Sequence, residues 1–193
     1  MIGRNLKNLS KMYIFSIALS TLPLLFFTSC CISYSVFPEL LFWIVLQVAS
    51  DYKPILRLKG KEINEISVSF VVQMSAIMLL GTCKAIWITI ISDLIVGLAL
   101  KKRLYKSFFN AGQCALSLLI AGYLFNLLKV SQDNVSLDII LDMPAIVVTV
   151  ISYFLLNTFL ISAAVSLTSG IQLFSVFFSD FNTLTYYFFT LPL

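Results

Sequence analysis

The residue with the clearest capacity for chemistry is Asp93, a carboxylate that interrupts an otherwise apolar stretch. The stretch ends at a run of bases that begins with Lys101, eight residues later, which on a helix is about 12 Å away. Burying a charged carboxylate at that depth in a bilayer costs roughly 2.5 to 3.5 kcal/mol on insertion scales. Such residues usually face the interior of a helix bundle and mark a ligand or ion site, and a hydrogen-bonded structural aspartate is the alternative.

Carboxamide side chains lie in other apolar stretches, at Gln73, Asn110, Gln113, Asn126 and Asn157. Hydrogen bonds between such side chains hold membrane helices in register and average about 0.6 kcal/mol each, so a structural role explains them without a ligand. The functional hypothesis is that four of them join the carboxylate in a polar interior that binds a small molecule. That candidate site comprises Asp93, Gln73, Asn110, Gln113 and Asn157.

The sequence lacks the residue patterns of an enzyme or a metal site. It has no His, and its four Cys do not have the spacing of metal motifs; they are Cys30, Cys31, Cys83 and Cys114. Buried, unpaired thiols are the simplest interpretation, and a disulfide among the first three is the alternative. Glycine-rich phosphate loops, Ser-His-Asp sets and paired catalytic carboxylates are also missing from the sequence. We therefore predict no catalytic residue, no bound metal and no cofactor.

The composition places these residues in a membrane protein. Hydrophobic residues make up 60% of the 193 residues and charged residues 11%, with a mean hydropathy of +0.98. That leaves too little polar surface to cover a water-soluble globule of this size, so the lipid bilayer is the main predicted partner. The net charge of +4 does not predict nucleic-acid binding, because the bases sit in short clusters beside the apolar stretches.

The apolar stretches predict an all-α integral membrane helical bundle with six complete transmembrane helices in a single domain. Their ranges are 12–34, 36–50, 66–80, 85–100, 107–128 and 143–167. The first stretch is too long for a signal peptide and lacks a small-residue cleavage pattern, so we interpret it as a retained helix. Residues Gly81 to Lys84 form a tight connection, which makes a hairpin of the third and fourth helices.

A further apolar run at 184–193 has only ten residues, about half of what a crossing requires. We interpret it as the start of a seventh helix that the end of the chain interrupts. The residues before it, at 171–178, predict an amphipathic segment in the membrane interface that joins the sixth helix to the seventh.

The charges between the stretches predict the orientation of the chain. Three bases precede the first span, four lie between the second and third, and four follow the fourth, so eleven of thirteen bases share one side. The loop from Lys129 to Asp142, with three acids, lies on the other side. Since bases concentrate on the cytoplasmic face, we expect a multi-pass protein of the plasma membrane with its N-terminus in the cytoplasm.

Short motifs in the middle of the chain resemble a bacterial membrane module. They are Glu65-Ile-Ser-Val-Ser-Phe, the turn at Gly81, the run Tyr105-Lys-Ser-Phe-Phe-Asn110-Ala-Gly-Gln113, and Leu156-Asn157-Thr158. In this order they are similar to the N-terminal multi-span region found ahead of HD-GYP phosphodiesterase and GGDEF diguanylate cyclase domains. The resemblance covers about Glu65 to Thr158, roughly half of the chain. Two departures are a Gly-Thr turn in place of Gly-Pro and the absence of a soluble catalytic domain.

The resemblance implies a sensory or anchoring module that regulates an attached cytoplasmic output domain of cyclic di-GMP signalling. It also implies that the module works as a homodimer, and that a seventh and an eighth helix return the chain to the cytoplasm. The predicted orientation, with the N-terminus inside, is consistent with this arrangement.

Two other classes of function compete with sensing. One is a substrate-binding membrane subunit of an energy-coupling-factor-type vitamin or small-molecule transporter, which is also a bundle of about six helices. Such subunits dock their partners through small-residue helix faces, but the first helix offers only Ala18 among bulky residues. The other is a structural membrane anchor without a ligand.

Overall fold

A computed structural model describes residues 2–30, 32–52, 69–130 and 140–179 of the chain. Within these ranges the regular structure is helical throughout and contains no strand, which confirms the all-α prediction for this part of the chain. The described helices are α1 (Ile2–Ser29), α2 (Phe37–Tyr52), α3 (Ser69–Leu80), α4 (Thr82–Ala99), α5 (Leu104–Leu128) and α6 (Met143–Ser169). A short 3-10 helix, Tyr34–Val36, precedes α2.

Four of these helices are long and apolar enough to cross a membrane, namely α1 from Asn8, α4, α5 and α6. The other two are shorter, with 16 residues in α2 and 12 in α3, where a crossing requires about 20. The structure therefore supports four of the six predicted complete spans by length.

Helix α1 ends at Ser29, five residues before the predicted end at Tyr34. In its last turn the hydroxyls of Thr28 and Ser29 donate to the carbonyls of Leu24 and Leu25. Such bonds weaken a helix slightly, and serines, which favour turns over helix interiors, follow at Ser33 and Ser35 in the connection to α2.

The hairpin of α3 and α4 is made by Gly81 alone, and α4 begins at Thr82 rather than at the predicted Ala85. Gly81 has a φ of +88°, which residues with a Cβ rarely adopt, so glycine permits the chain to reverse within one residue.

Helix α5 lies at the centre of the bundle and packs against α1, α4 and α6. Glycines allow the close approach of these helices. A Cβ at Gly112 would lie 2.3 Å from the carbonyl oxygen of Ile17 in α1, and a Cβ at Gly122 would lie 2.2 Å from Thr82 Oγ1 in α4. Small residues at helix contacts are the usual means of close packing in membranes.

The apolar side chains divide between the core and the outer surface of the bundle. Ile86, Ile90, Ala115 and Leu118 are fully buried at the contacts of α4 and α5. Many larger side chains, such as Phe15, Phe26, Leu127 and Ile151, are exposed around the outside. An apolar exterior around a packed interior is what a bilayer stabilises.

Polar contacts join the N-terminal helix to the last described long helix. The hydroxyl of Tyr13 in α1 donates to the carbonyl of Leu160 in α6 at 3.0 Å, across 147 residues of sequence. At the other end of α6, Val130 N donates to Asp142 Oδ1 at 2.8 Å and closes the connection from α5.

After α6 the chain turns at Gly170, which is in the left-handed conformation with a φ of +74°. Residues 173–179 are helical again, and the ring of Phe177 lies 6.4 Å from that of Phe159 in α6. The predicted interfacial segment therefore packs back against α6. The predicted seventh helix at 184–193 lies outside the described residues.

A polar network in the bundle interior

Asp93 is buried on α4, with 7% of its surface exposed, and it meets α5 through a hydrogen bond. Asn110 Nδ2 donates to Asp93 Oδ2 at 3.1 Å. Both residues lie six positions from the turn that joins the two helices, or about 9 Å along each helix axis. The antiparallel α4–α5 pair therefore aligns them at the same depth.

The network continues from Asn110 along α5 and into α6. Gln113 Nε2 donates to Asn110 Oδ1 at 3.3 Å and lies 3.8 Å from the sulfur of Cys114. The Cys114 thiol in turn donates to Asn157 Oδ1 at 3.8 Å. Asp93 is thus connected to α6 through three side chains of α5.

A second arm brings in α3. The hydroxyl of Tyr153 in α6 donates to Gln73 Oε1 in α3. Tyr153 lies one helical turn from Asn157, so the two arms come close to each other along α6.

The structure connects four of the predicted site residues, Asp93, Asn110, Gln113 and Asn157, and it places the fifth, Gln73, against Tyr153, one turn from Asn157 on α6. The remaining amide, Asn126, is exposed near the other end of α5, where it donates to Thr82 Oγ1 at 3.4 Å. The role of the five candidate site residues in binding a ligand stays a prediction.

Sequence reasoning missed the parts that Cys114 and Tyr153 play in the network. Both carried a signal: Cys114 lies one turn from Asn110 on α5, and Tyr153 lies one turn from Asn157 on α6. The thiol was expected to be buried and unpaired in an apolar setting, and it is buried but among polar groups. Cys30 is exposed at the end of α1, so its predicted burial is wrong; Cys31 lies outside the described residues.

A second polar contact between α2 and α4 was also missed. Gln47 is fully buried, and its Oε1 accepts a hydrogen bond from Thr89 Oγ1 at 3.5 Å. Ser92 Oγ donates to the carbonyl of Ile44 at 3.4 Å. The spacing of Gln47 and Asp51, one helical turn apart, could have indicated a polar face on α2.

Two charged side chains act electrostatically on Asp93, the carboxylate of Asp51 and the ammonium of Lys102. Lys102 belongs to the turn between α4 and α5, where it is exposed together with Lys101 and Arg103, and Lys106 is exposed in the first turn of α5. We refer to this end of the molecule, defined by these four residues, as the basic end. The network lies in the half of the bundle nearer to it, and Asn110 is exposed there.

The side chains of the network can donate and accept hydrogen bonds and can offer oxygen atoms to a cation. Within the described ranges, no group of three His, Cys, Asp or Glu side chains is placed to hold a metal ion. What the fold and the network define is an all-helical membrane domain with a polar interior.

The chain matches the model of the MASE9 family over residues 4–190 and belongs to that family. MASE domains are membrane-associated, non-catalytic sensory domains found in cyclic di-GMP signalling proteins. No curated protein and no solved structure matches the chain. The resemblance to a membrane module of this signalling system is confirmed at that level, and the link to an HD-GYP or GGDEF domain stays a prediction.

Proposed function

We propose that the chain is the sensory module of a plasma-membrane protein and controls a cytoplasmic domain that makes or degrades cyclic di-GMP. The observation that supports this most is the continuous polar network from Asp93 to Asn157 inside a membrane-associated sensory domain. Polar and ionisable groups inside membrane bundles are costly, and their usual role is at ligand or ion sites.

The network includes side chains of α6, the helix that reaches the basic end, where the proposed output domain would receive the signal. Helix α6 carries Asn157 and Tyr153 in the network and runs on to Ser169 at the basic end. A ligand that binds better to one arrangement of α4, α5 and α6 would shift the population toward that arrangement. The output then takes the form of a small movement of α6 at the basic end.

The proposed orientation places the basic end in the cytoplasm. Its four exposed bases agree with the excess of Lys and Arg on the cytoplasmic side of membrane proteins. In this orientation α2 and α3 complete a six-helix bundle, with the bilayer thinned locally to match their shorter length.

Transport is less well supported than sensing. A transporter subunit would need a small-residue face free for its coupling partner, but the small residues of α5, including Ala111, Gly112 and Ala115, are buried within the bundle. Membership of a sensory family favours the same conclusion.

The experiment replaces Asp93 with Asn in the full-length protein and measures cellular cyclic di-GMP together with the amount of protein in the membrane. We expect output to change at equal protein amount, because the variant keeps the shape of the side chain but removes its charge. Glu39→Gln is the matched control, since Glu39 is an exposed carboxylate in the first turn of α2. Unchanged output and stability in Asp93→Asn would refute a sensory role for the network.

A further inference from the structure

One exposed row of side chains on α5, at the basic end, is polar. Arg103, Lys106 and Asn110 are exposed and follow one another at intervals of three and four residues, which places them on one face. Further along α5 the exposed side chains are mainly apolar, as at Ile120 and Leu127. Polar side chains within membrane bundles usually face a polar interior or a water-filled cavity rather than lipid, so the row indicates contact with water.

Asn110 connects this row to the buried network. It lies about 9 Å along α5 from the start of the helix, deeper than Arg103 and Lys106. Its amide donates to Asp93 Oδ2 at 3.1 Å and accepts a hydrogen bond from Gln113 at 3.3 Å. Asp93 and Gln113 are buried. An exposed side chain is therefore bonded directly to the buried carboxylate, and the row leads from the surface to Asp93.

Two buried oxygen atoms next to this row have no hydrogen-bond partner among the described residues. They are Ser107 Oγ, three residues before Asn110, and Gln113 Oε1, three residues after it. The two side chains are 4% and 2% exposed. A polar atom is expensive to bury without a partner, and buried water commonly supplies the missing hydrogen bonds in proteins. These atoms therefore favour water along this face of α5, independently of the exposure of Asn110.

We propose that Arg103, Lys106 and Asn110 line a water-filled crevice that opens at the basic end and admits a small water-soluble ligand to Asp93. In the proposed orientation such a ligand enters from the cytoplasm, not from the lipid and not from the exterior of the cell. That a molecule on this path is the signal rests on the proposed function, whereas the crevice itself does not.

The test measures how fast single thiols react with a charged, membrane-impermeant methanethiosulfonate reagent in inside-out vesicles that contain the full-length protein. In a background with every native Cys replaced by Ser, Asn110→Cys is compared with Ile95→Cys and Lys101→Cys. Ile95 is the matched control, because it is exposed on α4 and lies only about 6 Å from the end of that helix, at a shallower depth than Asn110. We expect Asn110→Cys to react at least roughly tenfold faster than Ile95→Cys, because a charged reagent is excluded from lipid. Lys101→Cys should react from the same side of the membrane.

Equal rates for Asn110→Cys and Ile95→Cys would overturn the proposal, because depth in the membrane alone would then decide the reaction. So would reaction of Asn110→Cys only from the side opposite to Lys101→Cys. Should Asn110→Cys fail to reach the membrane, Asp93→Cys at the same depth takes its place in the comparison, since that change removes a buried charge. Cyclic di-GMP output of the same vesicles before and after labelling separates the sensory role. Fast labelling without any change in output would keep the crevice and refute its use in signalling.

Discussion

At the scale of single residues, Asp93 illustrates how a carboxylate is retained within apolar helices. Asn110 supplies a hydrogen bond of 3.1 Å, and Gln113 orients Asn110 in turn. Hydrogen bonds to a charged group contribute about 1.5 to 3 kcal/mol, more than the average bond between neutral side chains in a bilayer. The amides next to Asp93 should therefore contribute more to the free energy of unfolding than amides elsewhere in the bundle.

We expect Asn110→Ala to lower the free energy of unfolding by about 1 to 3 kcal/mol, because Asp93 would lose its amide donor. Asn126→Ala is the matched control, since that amide is exposed and makes only a 3.4 Å contact with Thr82. Its loss should change stability by less than about 0.5 kcal/mol. Denaturant titration of both variants in mixed micelles measures the difference, and equal losses would contradict this account.

Gln47 provides a contrasting case. Its Nε2 atom is buried without a hydrogen-bond acceptor among the described residues, which is an unfavourable state for a polar group. We expect Gln47→Leu to leave stability unchanged or to raise it by up to about 1 kcal/mol, because Thr89 can donate to its own helix instead. The same titration checks this, with Asn110→Ala as the destabilised comparison. A marked loss in Gln47→Leu would mean that the amide nitrogen has an acceptor after all.

The residues of the candidate site were predictable in part. Asp93 and the amides stand out because polar groups are rare in apolar stretches, and their common depth follows from the alternating direction of the helices. Tyr153 did not stand out, because tyrosines are also frequent at membrane interfaces. Gln47 was overlooked because its importance depends on the face of α2 that meets α4, which the contacts reveal and the sequence does not.

At the scale of helices, α5 holds the bundle together through buried side chains such as Leu118 and Phe125 and also through close backbone approaches. The closest of these is at Gly112, where the neighbouring atoms belong to the backbone of α1 and cannot move aside by rotating a bond. At Gly122 the nearest atoms, Thr82 Oγ1 and Cγ2, can move by a rotamer change, and the fixed Thr82 Cβ lies farther away, at 2.8 Å. The two glycines should therefore differ in their tolerance of a methyl group.

We expect Gly112→Ala to lower the free energy of unfolding by about 1 to 3 kcal/mol, because a Cβ 2.3 Å from the Ile17 oxygen forces α1 and α5 apart. Gly122→Ala should cost less, and Ile120→Ala, on an exposed face of α5, should have little effect. Thermal unfolding in nanodiscs ranks the three variants. Equal effects of the two glycine substitutions would refute the distinction between backbone and side-chain contact.

The ends of the helices were harder to predict than their existence. Runs of apolar residues identify α4, α5 and α6, because stretches of this length with so few charged residues are typical of membrane-spanning helices. Hydropathy does not register the hydroxyl bonds of Thr28 and Ser29, which coincide with the end of α1. Nor does it indicate that residues 173–179 return along α6, since that depends on the turn at Gly170 and the packing of Phe177.

At the scale of the whole molecule, the distribution of charge leads to a test of orientation. The basic end and the exposed Cys30 lie at opposite ends of the bundle, because α1 runs in parallel with α5 away from that end. With the N-terminus in the cytoplasm, Cys30 must therefore face the exterior of the cell.

We expect Cys30 to react with a membrane-impermeant maleimide added to intact cells, in a variant whose other three Cys are replaced by Ser. The matched control moves the single thiol to the basic end with Cys30→Ser and Lys101→Cys, which should react only after the membrane is permeabilised. Gel-shift detection of the labelled protein reads out both cases. The reverse pattern of labelling would overturn the proposed topology.

The hydrogen bond between Tyr13 and Leu160 also has a consequence for biogenesis. At about 5 to 20 residues per second, a ribosome completes the partner in α6 roughly 7 to 30 s after the tyrosine. For most of that interval α1 resides in the bilayer without α5, and for all of it without a complete α6. Its hydroxyl groups at Ser20, Thr21 and Thr28 donate to carbonyls of the same helix, so these groups need no neighbour while the rest of the chain is made. The first helix can therefore remain stable in lipid until its later partners are synthesised.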